Sequence, residues 1–134
     1  MYAKEDSRFA LAALLLFAVI GCAKPALPEE GTYTIGVSLS GGTGKAKIQS
    51  PAELTVKDGS MTVRLVWSSD KYDYMIVGGE TLLPAYIDGH SVFSVPVASL
   101  HEPLQIVADT TAMSTPHEIE YTITFDAASL APAV

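Results

Sequence analysis

Leu54-Thr55-Val56-Lys57-Asp58-Gly59-Ser60-Met61-Thr62-Val63-Arg64-Leu65-Val66-Trp67 reads as two strands joined by a tight turn. Apolar residues occupy every second position on both sides, the pattern of strands buried on one face. Asp58-Gly59 between them is a strong hairpin signal, because both residues accept the positive φ of a two-residue turn. The same grammar extends outward in both directions. Tyr33, Ile35, Val37 and Leu39 alternate with Thr34, Gly36 and Ser38, and Gly41-Gly42-Thr43-Gly44 then turns the chain. Ala46 and Ile48 alternate with Lys45 and Lys47 as a strand wet on one face, which Pro51 ends. Downstream, Met75-Ile76-Val77 closes on Gly78-Gly79, and Leu82, Leu83 and Tyr86 form a short run interrupted by Pro84. Asp88-Gly89 leads into Val92 to Val97, and Leu104 to Ala108 and Ile119 to Phe125 complete the set. About nine short strands without an amphipathic helix predict an all-β, Ig-like antiparallel β-sandwich over residues 31–126. Pro96 belongs on an edge or a bulge, since it cannot donate to a central ladder. Residues 127–134 read as a flexible tail.

The amino terminus is of another kind. Lys4 and Arg8 precede an unbroken apolar run from Phe9 to Ile20, followed by Gly21 and Cys22. The run is shorter than the roughly 20 residues a membrane-spanning helix needs, and it matches the apolar region of a secretory signal. Val19-Ile20-Gly21-Cys22 resembles the bacterial lipobox, although Glu5 and Asp6 offset the usual positive start. Residues 1–21 are therefore expected to be a lipoprotein signal peptide and Cys22 the lipidated residue, carrying diacylglycerol and palmitate. Residues 22–30, with Pro25 and Pro28, read as a short stiff tether. The expected location is the cell envelope: the outer face of the cytoplasmic membrane, or an outer membrane if the host has one.

Composition narrows the function. The 134 residues carry a net charge of −7 with only eight Lys and Arg, which argues against nucleic acid, whose binding needs a basic footprint. Attraction to anionic lipid is disfavoured for the same reason, so membrane contact would rest on the anchor. One Cys rules out an intramolecular disulfide, leaving the exported domain to its core alone. The sequence has no nucleophile elbow, no Cys–His pair beyond Cys22, no phosphate loop and no paired hydrolytic carboxylates, and an enzyme is not expected.

Two segments are chemically unusual. Trp67 to Met75 places a Trp, Tyr72, Tyr74 and Met75 around a polar tip, and Asp109 to Tyr121 places Met113 and His117 before the last strand. In a strand, positions i and i+4 share a face, so His117 and Tyr121 should project together. Thioether sulfur and imidazole suit haem iron or Cu(I), while Trp67, Tyr72 and Tyr74 offer an apolar wall. Met61 and Trp67 read as core, and His90 and His101 read as solvated turn residues.

The run from Gly31 to Asp126 resembles the NEAT (near-iron-transporter) haem-binding family. The residues that carry the resemblance are Gly31-Thr32-Tyr33-Thr34, Ala52 to Gly59, the Tyr72-Asp73-Tyr74-Met75 hairpin, Phe93 to Val97, and Met113 to Phe125. The resemblance implies an Ig-like sandwich with haem against the final hairpin. There the family's Tyr-x-x-x-Tyr strand supplies an axial and a supporting Tyr. The matching spacing here is His117-Glu118-Ile119-Glu120-Tyr121, which puts His in the ligand position and Tyr121 in the supporting one. The family's Ser-rich cap after strand one has no clear match in residues 41–50. Some relatives bind haem through two Met, a scheme for which Met75 and Met113 are the candidates. The expected function is a lipoprotein that binds haem or a related iron species and relays it to an ABC-type importer. Two alternatives stay open: an interaction module without cofactor, and a copper(I) site using Met75, Met113 and His117.

Overall fold

The computed structural model describes residues 27–112 and 117–133, so the signal-peptide, Cys22 and Met113 assignments lie outside it. Among the described residues there are nine strands and no helix. They are β1 (Gly31–Gly41), β2 (Ala52–Lys57), β3 (Ser60–Val66), β4 (Tyr72–Val77), β5 (Glu80–Leu82), β6 (Ala85–Ile87), β7 (His90–Val97), β8 (Leu104–Thr110) and β9 (His117–Pro132). All neighbours pair antiparallel in one continuous curled sheet, ordered β5-β4-β8-β9-β1-β2-β3-β7-β6. β1 and β9 form the spine between the two layers.

Period-two alternation explains most of this. Met61, Val63, Leu65 and Trp67 point inward, and so do Ile35 and Val37, Leu54 and Val56, Phe93 and Val95, and Ile123 and Phe125. Seven of these side chains are fully buried aliphatics or Phe, each stabilising the fold by roughly 1.5–3 kcal/mol relative to exposure. The turns follow the sequence signals: Asp58-Gly59 and Asp88-Gly89 both take positive φ at both positions. Pro96 faces Thr62 on one side only, because β6 pairs no further than Val92. It therefore sits on a locally open edge, as expected.

Two expectations about the strands change. Residues 46–48 do not form a strand. Ile48 makes a single antiparallel bridge to Trp67, so this segment runs beside the end of β3 without building a ladder. The carboxyl end is not a tail: β9 continues to Pro132, pairing Ala131 with Thr34 and Pro132 with Tyr33. Ser129 Oγ accepts from the Gly36 N–H at 2.7 Å across a bulge, and Leu130 packs on the core. The end of the tether is also fixed, since the Tyr33 hydroxyl donates to the Glu29 carbonyl and the Asp58 N–H to a Glu30 carboxylate oxygen.

Candidate functional site

Antiparallel pairing brings one set of chain segments to a single end of the sandwich. The carboxyl ends of β1, β3 and β8 meet the amino ends of β2, β4, β7 and β9 there. Short backbone bonds tie these segments together: the Ser91 N–H donates to the Ser69 carbonyl and the Thr111 N–H to the Lys71 carbonyl. Both unusual segments of the sequence reach this end.

Its centre is an aromatic group. Trp67 is fully buried, with Tyr72 stacked on it (centroids 4.2 Å, 27°) and the Tyr121 ring edge-on (5.4 Å, 61°). Offset and edge-to-face pairs of this kind add about 0.5–1.5 kcal/mol beyond area burial. The Tyr121 and Tyr72 hydroxyls meet beside these rings. Burial, then the nearness of Tyr72 and a hydrogen bond with it, push the Tyr121 phenol up to about 12. Burial likewise raises the Tyr72 phenol. Trp67 Nε1 is buried without a hydrogen-bond partner among the described residues.

His117 pairs with Thr110, Ile119 with Ala108 and Tyr121 with Ile106, so all three share the inward face of β9. Tyr121 and Ile119 lie beneath the interior side of the loop after β1, while His117 is exposed at the strand's start. The loop that covers them is built of glycine. A Cβ on Gly42 would lie 3.2 Å from Tyr121 Cε1 and 3.3 Å from Ile119 Cγ2. One on Gly41 would meet the Glu120 carbonyl oxygen at 2.6 Å. Only a residue without a side chain lets the loop rest this close on β9.

The expected grouping of Tyr72 with Tyr74 does not hold. A bulge at Asp73 sets Tyr72 opposite Thr110 but Tyr74 opposite Asp109, and the two rings therefore leave the sheet on opposite faces. Tyr74 stands on the outer face, where its hydroxyl donates to Glu118. That bond, with burial and the charges of Asp109, Glu118 and Asp73, pushes the Tyr74 phenol up to about 12. Asp109 lies beside this pair, 3% exposed, and burial together with Asp73 and Glu118 raises its carboxyl to about 6. Met75 is fully buried on the inner face opposite Ala108. It fills the core and presents no sulfur to a ligand at the surface, which corrects its assignment as a metal ligand.

His90 and the Gly41–Gly44 loop were not singled out as site residues by the sequence. His90 lies in the turn expected to be solvated, yet it is half-buried, with Nδ1 2.6 Å from the Trp67 carbonyl. Beside it is a groove of about 460 Å³ on the outer side of β3 and β7. A larger cleft of about 1000 Å³ opens at the opposite end, near Leu100, His101 and Leu130. Among the described residues, no three His, Cys, Asp or Glu side chains gather closely enough to hold a metal ion, and no helix is long and apolar enough to cross a membrane.

Solved structures similar to this chain include two forms of one domain. One is the NEAT5 domain of IsdX2, a B. anthracis hemophore, in complex with haem. Its identity is 19% and its TM-score 0.59, and the match covers 73% of this chain and 97% of that one. The other is a single-substitution mutant of the same B. anthracis domain with haem, again at 19% identity and a TM-score of 0.59, covering 74% and 97%. No protein-family model and no curated protein matches the chain. The fold is NEAT-like.

Proposed function

We propose that this domain is a binding protein, not an enzyme, that holds haem at the β8–β9 end with His117 toward the iron. The carrying observation is that β9 presents His117, Ile119 and Tyr121 on one face beneath the loop after β1. The final hairpin and the segment after strand one are the two elements to which the NEAT resemblance assigns the haem. The likeness to a haem-bound hemophore domain supports the same reading. His117 is exposed and brings an imidazole nitrogen, a common axial donor to haem iron. Tyr121, engaged by Tyr72 and seated against Trp67, is a wall and a support. A Cβ on Gly42 would press on Ile119 and Tyr121, so the loop lies close over them and a porphyrin seats there only when the loop lifts.

The finer parts of the proposal rest on the sequence. Export by residues 1–21 and anchoring through Cys22 would hold the domain at the cell envelope, and a short tether would keep it within reach of an ABC-type importer that takes the cargo. Burial of Met75 removes one of the three donors of the copper(I) alternative. The interaction-module alternative draws on Leu83, between the short edge strands, and Tyr86, within β6, which stand 76% and 58% exposed.

Hemin titration of the purified protein tests the reading. We expect a saturable Soret change at micromolar protein, and a component that weakens at least about tenfold in His117→Ala, a loss of about 1.4 kcal/mol. No saturable change, or a His117→Ala titration identical to that of the wild type, would overturn it.

A further inference from the structure

The groove beside His90 is a built feature. One wall is the Lys47-Ile48-Gln49 segment, pinned alongside the end of β3 by the Gln49 N–H to the Val66 carbonyl (2.8 Å) and the Ser68 N–H to the Lys47 carbonyl (2.9 Å). The other wall is Ile87 of β6 with the turn into His90, and Val66 and Val92 form an apolar floor. A volume of about 460 Å³ is within the range of small-molecule sites.

Two features give the groove a chemistry. The Trp67 carbonyl can only accept, so the His90 Nδ1 beside it at 2.6 Å carries the proton. In the neutral ring that fixes the tautomer and leaves Nε2 as the lone-pair nitrogen. A backbone carbonyl orienting one ring nitrogen is the usual support of a metal-binding His. The second feature is charge. Lys47 and Arg64 line the groove, against one acid, Asp88. The only ion pair among the described residues, Lys71 with Asp70, involves neither cation. On a chain of net charge −7, this is a local site for carboxylates. A bare metal ion finds no set of three His, Cys, Asp or Glu donors here, so a metal reaching His90 must bring its own ligands.

We propose that this groove is a second binding site, separate from the β8–β9 end, for a largely apolar metal chelate that carries carboxylates and has one open coordination position. His90 Nε2 takes that position, Ile48, Val66, Ile87 and Val92 cover the apolar body, and Lys47 and Arg64 meet the carboxylates. The choice of an iron porphyrin as the chelate rests on the haem-binding reading; the geometry of the groove does not.

Hemin is the probe, and stoichiometry is the readout. The wild type should take up two equivalents, and His90→Ala and His117→Ala one each. Reversing the groove charge with Lys47→Glu and Arg64→Glu together should weaken one of the two equivalents at least about tenfold and leave the other unchanged. Both side chains are exposed, so this variant decides the matter even if His90→Ala fails to fold. One equivalent that survives His90→Ala and the charge reversal but disappears in His117→Ala would overturn the second site and leave the proposed function standing. One equivalent that survives His117→Ala and disappears in the groove variants would uphold the groove and overturn the β8–β9 assignment. No saturable uptake would overturn both.

Discussion

Replacing Gly41 with Ala tests whether the loop after β1 is held by close approach to β9. Gly41 forms the last rung of the β1–β9 ladder, opposite Tyr121, at φ +119°. An added Cβ would sit 2.6 Å from the Glu120 carbonyl oxygen and 3.1 Å from Tyr121 Cα. Both are backbone atoms of a central strand, so neither can rotate out of the way. Positive φ costs an L-residue about 1–2 kcal/mol, and overpacking against an unyielding neighbour about 1–3 kcal/mol. Gly41→Ala should therefore lose about 2–5 kcal/mol, a large share of a domain stability of about 5–15 kcal/mol. Gly44 supplies the control. Its φ is +85° and nothing lies within 4 Å of the point where a Cβ would stand, so Gly44→Ala carries the conformational cost alone, about 1–2 kcal/mol. Urea unfolding with a shared slope gives the difference directly. The loop of Gly41→Ala, pushed off Tyr121, should also admit hemin faster than that of Gly44→Ala. Equal stabilities for the two variants would refute the account of the loop.

Two further predictions concern the other side chains at this end. The Asp109 carboxyl is raised to about 6 from an ordinary 3.8, so between those values the folded state binds more protons than the unfolded state. Its contribution to stability therefore falls as pH rises from about 4 to about 6. The melting temperature of Asp109→Asn relative to the wild type should climb over that interval, and a flat difference would contradict it. Met75→Ala should cost about 2–5 kcal/mol by emptying a fully buried site, yet leave the Soret position of bound hemin unmoved. A shifted band would restore Met75 as a ligand.

Local rules made much of the fold legible. Alternation and the Asp-Gly turns predict the strands, because each needs only neighbours in sequence to specify it. What escaped depends on partners far along the chain. The Ala127 to Pro132 extension lacks strong alternation and is strand because Ser129 bonds Gly36 and β1 has an open edge to cover. Alternation at residues 45–48 is real, but the segment finds one bridge and no ladder. The bulge at Asp73 carries no sequence mark, and it alone separates Tyr74 from Tyr72. For the site, i and i+4 spacing placed His117 and Tyr121 on one face correctly. His90 carries no such mark in the sequence, because what distinguishes it, a carbonyl 23 residues away, exists only in the folded chain.

The central claim is a place as well as a ligand, and paramagnetic broadening in amide NMR spectra locates it most directly. Ferric hemin, compared with its diamagnetic gallium counterpart, should erase the amide signals of His117 to Tyr121 and of Gly41 to Gly44. Signals of Asp58 and Gly59, in the turn at the opposite end, should persist. Loss centred instead on Ser99 to Glu102 at the far cleft, or no residue-specific loss at all, would contradict the account.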